Sequence, residues 1–246
     1  MERLGYVTFY FSFALQVFLL GRFLRIRIWR HYPFFFAYFV YTVINGLSAP
    51  LVLHFRPETY ATWYFSDYLA GTVLRFAVAW EIFRQLFPSN SPARRVAGSV
   101  LIIVSCMLAS FFWIWSLPGD ALSDVILKMA LAIVAWIFTV LGAAKYYSRT
   151  LGHNIRGMAF GFLGYMCTQV MLYSASELFP SLYDIFSALS SLTFTYMIFT
   201  WMYTLWVYMP NEAPLITDKT AVRDALAHWE KQMFTISSAL RRATRP

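Results

Sequence analysis

The sequence predicts an all-α fold: a polytopic membrane protein built as a seven-transmembrane-helix bundle, N-terminus outside and C-terminus cytoplasmic, plus a short cytoplasmic amphipathic helix. Three observations predict it. Of 246 residues, 59% are hydrophobic and 13% charged, where a soluble domain carries about 25% charged residues. The apolar residues gather into seven runs, each long enough to cross a hydrocarbon core about 30 Å thick, which takes about 20 helical residues. Lysines and arginines collect in alternate connections between the runs.

The runs cover residues 4–24, 33–53, 63–87, 96–117, 121–147, 157–179 and 183–209, a transmembrane domain of residues 1–209 followed by a tail of residues 210–246. The first ends in Arg22, Arg25, Arg27 and Arg30 with no small-residue cleavage site, so it is expected to remain in the mature protein. The second opens at Pro33 and holds Pro50 well inside it. The third is as long as the others but carries Asp67, Arg75 and Glu81. Breaks with turn chemistry separate the rest: Pro88-Ser89-Asn90-Ser91-Pro92, Pro118-Gly119-Asp120, Gly152-His153-Asn154 and Pro180-Ser181.

Orientation follows from the basic residues, because cytoplasmic loops are rich in Lys and Arg. After the first, third and fifth runs come Arg22, Arg25, Arg27 and Arg30, then Arg84, Arg94 and Arg95, then Lys145, Arg149 and Arg156. The opposite side has Arg3, Arg56 and Lys128 set against Glu2, Glu58, Asp67, Asp120, Asp124, Glu177 and Asp184. Lipid is therefore the first partner. The net charge of +8 reads as a topology signal and not as a nucleic-acid footprint.

At about 100° per residue, Asp67, Gly71, Val78, Ile82 and Gln85 share a narrow arc of the third helix, flanked by Arg75 and Glu81. Leu69, Val73, Phe76, Trp80, Phe83 and Phe87 fill the opposite arc. Intramembrane charges face bundle interiors or watery cavities, so the polar arc is expected to point inward. Tyr165, Gln169, Tyr173 and Glu177 recur every fourth residue of the sixth helix, Asn45 adds an amide in the second, and the seventh supplies Ser187, Ser190, Ser191, Thr195 and Thr200. A polar cluster around Arg75 is expected, with Asp67, Asn45, Gln169, Tyr173 and Glu177, opening to the outer face. A ligand site and a purely structural network both fit it. Glu81 is expected to pair with Arg84 or a neighbouring loop, and Asp124 with Lys128.

Gly157, Gly161 and Gly164 are expected to let helices approach closely, within the chain or in a dimer. In the tail, Val222, Leu226, Trp229, Met233, Ile236 and Leu240 alternate steps of four and three, a heptad seam over about residues 218–242. It suits docking under the bundle, lying on anionic lipid, or contacting a cytoplasmic protein partner. Homo-oligomerisation stays open.

No cofactor is expected. The last run has no lysine for covalent retinal, and His31, His54, His153 and His228 lie at span edges, in a loop or in the tail, where they could not serve as membrane haem ligands. Converging zinc ligands, a glycine-rich nucleotide fingerprint and a GxSxG elbow are absent, and Cys106 and Cys167 sit singly in apolar runs. No enzyme activity is expected.

The runs PFFFAYFVYTVI (residues 33–44), FAVAWEIFRQLF (76–87) and RGMAFGFLGY (156–165) resemble a bacterial family of uncharacterised multi-spanning proteins. The span order also resembles the membrane sensor modules that precede signalling domains in bacterial receptors. These resemblances imply a multi-pass protein of the bacterial inner membrane and carry over no functional residues. No kinase, cyclase or phosphodiesterase sequence follows the last run, so an output is expected to pass through a partner. The reading is a sensory or partner-regulating protein, with a small-solute transporter or channel subunit and a structural subunit of a membrane complex as rivals.

Overall fold

The computed structural model describes residues 2–87, 92–115, 122–147 and 149–209. All their regular structure is helical: α1 (Glu2–Arg25), α2 (Pro33–Phe55), α3 (Tyr60–Leu86), α4 (Pro92–Trp115), α5 (Leu122–Tyr146), α6 (His153–Leu178) and α7 (Tyr183–Leu205), with short 3₁₀ turns at Ile28–Arg30, Pro57–Thr59 and Pro180–Leu182. The amphipathic tail helix lies outside the described residues.

Five of the helices contain stretches long and apolar enough to cross a membrane: Val7–Arg25, Pro33–Phe55, Ala93–Ser110, Val125–Tyr146 and Ile185–Leu205, as a multi-pass membrane protein requires. The other two, α3 and α6, are as long, at 27 and 26 residues. Their hydropathy is lowered by the polar side chains they carry: Asp67, Arg75 and Glu81 in one, Asn154, Arg156 and Gln169 in the other.

Short connections place successive helices antiparallel. Helices α1, α2, α3, α5, α6 and α7 pack in that order around a ring that closes where α7 meets α1, α3 also touches α6 across it, and α4 packs on α5 from outside. Apolar side chains cover the periphery: Phe18, Leu51, Val73, Ile102, Phe138, Met171 and Tyr203 are all exposed. Such a surface is a liability in water and a requirement in lipid.

The buried side chains are not spread evenly along the bundle. Most lie toward the end where α1 joins α2 and α5 joins α6, the end rich in arginine. Phe23, Ile28, Tyr32, Phe35, Phe39, Ile82, Phe83, Phe87, Ile155, Met158, Trp201 and Leu205 are all buried there. Trp201 sits at the centre, its ring edge-on to Phe35 at 5.0 Å and tilted on Phe162 at 5.0 Å. These geometries favour aromatic pairs.

Polar contacts tie the same end together. The first turn of α2 has no side-chain cap of its own. Glu81 of α3 supplies one, accepting the backbone N–H of Phe34 at 3.2 Å and of Phe35 at 2.8 Å. Sequence reasoning expected Arg84 or a neighbouring loop as its partner; Arg84 is within electrostatic reach, but the hydrogen bonds go to the α2 amides. The amides win because a helix N-terminus offers unpaired donors and positive potential in one place. Arg22 donates through Nε and Nη2 to the Trp206 carbonyl at 3.1 and 2.9 Å, its guanidinium 4.7 Å above the Trp206 ring. Buried Asn154 donates to the carbonyls of Thr204 and Val207 and accepts from Met209 N–H.

Between α6 and α7, a Cβ on Gly157 would strike Thr204, and one on Gly161 would lie 2.5 Å from Trp201 Nε1. A Cβ on Gly164 would meet nothing within 4 Å. The first two glycines therefore sit at a close helix approach within the chain, and the third does not.

Candidate functional site

Away from the packed end, inward positions turn polar. On α3, Asp67, Gly71 and Arg75 follow one another at intervals of four and so line one stripe. Gly71 is buried, and a Cβ there would lie 3.4 Å from the Tyr41 ring and 3.7 Å from Arg75 Nη2. The missing side chain gives Tyr41 of α2 and the Arg75 guanidinium room to meet over this position.

Arg75 lies fifteen residues into α3, about 22 Å along the axis. Its guanidinium is 5.3 Å from the Tyr68 ring and 6.0 Å from the Tyr38 ring, within the range of cation–π attraction. The phenols of Tyr38, Tyr165 and Tyr68 surround it, with Tyr38 close enough to hydrogen-bond. Its Nε is buried without a hydrogen-bond partner. Among the described side chains no carboxylate forms an ion pair with it, and the side chain of Glu177 is not among them.

The tyrosines extend from this point toward the α2–α3 connection. Tyr173 of α6 interacts with Tyr64, Tyr165 and Tyr68, Tyr68 donates its hydroxyl to the Ile126 carbonyl of α5 at 3.0 Å, and the Tyr165 ring meets Phe194 of α7 at 5.6 Å. Helices α2, α3, α5, α6 and α7 thus all border the arginine's surroundings.

Asp67 is held between α2 and α3, joined to the arginine's surroundings through Tyr41. Its Oδ1 accepts a short hydrogen bond from the Tyr41 hydroxyl, and its Oδ2 accepts from Asn45 Nδ2 at 2.6 Å. A cleft of about 280 Å³ opens beside them, lined by Tyr41, Ile44, Asn45, Ser48, Trp63 and Asp67. Gln169 is elsewhere again, buried and donating to Ser190 Oγ of α7 at 2.7 Å.

The residues expected around Arg75 take different immediate partners. The structure brings Tyr165 and Tyr173 to the arginine's surroundings, pairs Asn45 with Asp67, and gives Gln169 to the α6–α7 seam. Sequence reasoning missed Tyr38, Tyr64 and Tyr68. A signal existed in the i,i+4 spacing of Tyr64 and Tyr68 and in their position one turn or more before Arg75. Among the described residues no group of three or more His, Cys, Asp or Glu side chains could hold a metal ion. The chemistry on offer is recognition: a guanidinium framed by neutral phenols at one place, a carboxylate with amide and hydroxyl partners at another.

Comparison with known protein families, with curated proteins and with solved structures gives no match for this chain.

Proposed function

We propose that the chain is a sensory or partner-regulating protein of the bacterial inner membrane, crossing it seven times with its amino terminus outside, in which Arg75 captures an anionic, carboxylate-like group entering from the outer face. The observation that carries this reading is the setting of Arg75. A desolvated cation framed by neutral rings, with an N–H left unpaired, is costly to maintain. A carboxylate would offset that cost through the paired donors of the guanidinium.

The uneven packing supports an outer entrance: tight aromatic packing closes the arginine-rich end, and tyrosines lead inward from the other. Basic residues in alternate connections support the orientation. The cytoplasmic tail, residues 210–246, supplies a surface through which a bound state is passed to a partner.

The test uses the full chain in lipid nanodiscs with acetate, benzoate, succinate and inorganic phosphate as probes. At least one carboxylate should raise the melting temperature of the wild type and leave Arg75→Leu unmoved. Equal shifts in both proteins, or none in either, overturn the reading. Accumulation of the same carboxylate inside proteoliposomes would replace the sensor with the transporter. Partner capture that is undiminished on removing residues 214–246 would remove the tail from the pathway.

A further inference from the structure

The cleft between α2 and α3 has a chemistry opposite to that of Arg75. Asp67 is its charged group, and the hydrogen bonds around it fix which atoms face inward. A carboxylate only accepts, so the side of Asn45 that meets Asp67 Oδ2 must be its amide nitrogen. Asn45 Oδ1 is then turned away, and it is a buried acceptor without a partner.

The hydroxyl protons of the cleft are already committed. Tyr41 gives its proton to Asp67, Ser48 to the Asn45 carbonyl at 3.3 Å, and Ser66, also lining the cleft, to the Thr62 carbonyl at 2.9 Å. What these groups still offer is lone pairs. A negative charge and spare hydroxyl lone pairs suit a compact cationic donor, and they disfavour the anion that Arg75 would take. Trp63 on the lining adds an aromatic face able to attract a cation.

The position of the cleft indicates where such a cation comes from. Asp67 is seven residues into α3, about 10 Å from its end, and the rim includes Ile44 and Ala70, both exposed. Leu47 and Leu51 continue the exposed apolar flank of α2. The mouth therefore opens sideways among exposed apolar side chains near one end of the bundle, as a lipid headgroup would require.

We infer that this cleft holds the primary ammonium of a phospholipid headgroup, of the phosphatidylethanolamine type, with Asp67 receiving its N–H groups. A quaternary choline headgroup has no N–H to give and an anionic glycerol headgroup has the wrong charge. The inference does not depend on the reading of Arg75.

The experiment places the full chain in nanodiscs containing equal amounts of phosphatidylethanolamine, phosphatidylcholine and phosphatidylglycerol, and counts the lipids retained by native mass spectrometry. Wild type should keep the ethanolamine lipid selectively, and Asp67→Asn should lower that selectivity about tenfold, the scale of one charge-assisted contact. Ala70→Phe, at an exposed rim position, should block retention without touching any polar partner, which keeps the test valid if Asp67→Asn folds poorly. Arg75→Leu should retain the lipid. Selectivity unchanged in both Asp67→Asn and Ala70→Phe overturns the assignment, as does equal retention of phosphatidylcholine. Stabilisation by free ethanolamine without retention of the lipid overturns the lipid source.

Discussion

The Glu81 carboxylate in α3 accepts the N–H of Phe35 in the first turn of α2 at 2.8 Å, so a residue on one helix completes the terminus of another. This is why an acidic side chain only 4% exposed persists in an apolar setting. Glu81→Leu leaves the buried amide of Phe35 and the part-buried amide of Phe34 without acceptors and should cost about 2–6 kcal/mol, at about 1–3 kcal/mol for each unmet group. Glu81→Gln keeps one acceptor and should cost less than half as much. Unfolding midpoints in mild detergent would measure both, and equal midpoints for wild type and Glu81→Leu would refute the capping role.

Gly161 and Gly164 are one turn apart in α6, yet only the first faces Trp201. Because that indole is fully buried among Phe35, Tyr38, Phe39 and Phe162, it has nowhere to move. Gly161→Ala should destabilise by about 1–3 kcal/mol through overpacking, whereas Gly164→Ala should be neutral or gain up to about 1 kcal/mol from helix propensity. Dimer loss in Gly161→Ala at unchanged stability would show instead that the glycine faces a second copy.

The seven helices fall on the seven apolar runs because length and hydropathy fix helices one at a time. The site was legible only where one helix sufficed. Arg75 announced itself against an apolar background, and Tyr165 and Tyr173 by their spacing of eight. Tyr38, Tyr64 and Tyr68 did not, because with 16 tyrosines aromatic residues offer no contrast. The grouping of Asp67 with Asn45 and Tyr41 depends on the register between α2 and α3, which no single-helix projection contains. Asn154 read as a turn residue because its partners are carbonyls some 50 residues away, and a backbone carbonyl leaves no mark in a sequence.

Asn154 clasps the end of α7 through two donated bonds and one accepted bond. Its side chain is fully buried, so Asn154→Ala strands the Met209 N–H and two carbonyls. At about 1 kcal/mol for each net hydrogen bond, the loss should be about 3 kcal/mol. Protease cleavage near residues 206–209 should accelerate while cleavage in the α2–α3 connection stays at the wild-type rate.

The proposed seven crossings would put residues 56 and 181 on one side and residues 30 and 149 on the other. The charges in α3 and the polar face of α6 lower the hydropathy of these two helices, so their crossing is the point to test. In a Cys106→Ser, Cys167→Ser background, a membrane-impermeant maleimide added to intact cells should label Arg56→Cys and Ser181→Cys. It should leave Arg30→Cys and Arg149→Cys unmodified until the membrane is opened. Labelling of residue 149 from outside would show that the crossings differ from seven in this order.

Arg75→Met separates a binding residue from a structural one. If the arginine held the bundle together as half of a buried ion pair, its removal would cost about 3–5 kcal/mol, because the orphaned partner would be left charged. Its described neighbours are tyrosines, which are neutral and need no counter-charge. Replacing a cation that has no carboxylate partner among the described side chains with an apolar side chain of similar length should therefore leave stability unchanged or raise it by about 1–3 kcal/mol, as exchange of buried ionic groups for packed apolar ones often does. The carboxylate-induced rise in melting temperature should vanish in the same protein, and Arg75→Lys should restore only part of it, since an ammonium lacks the planar pair of donors. Unfolding that is easier by 3 kcal/mol or more, together with no carboxylate response in the wild type, would make Arg75 a strut of the fold.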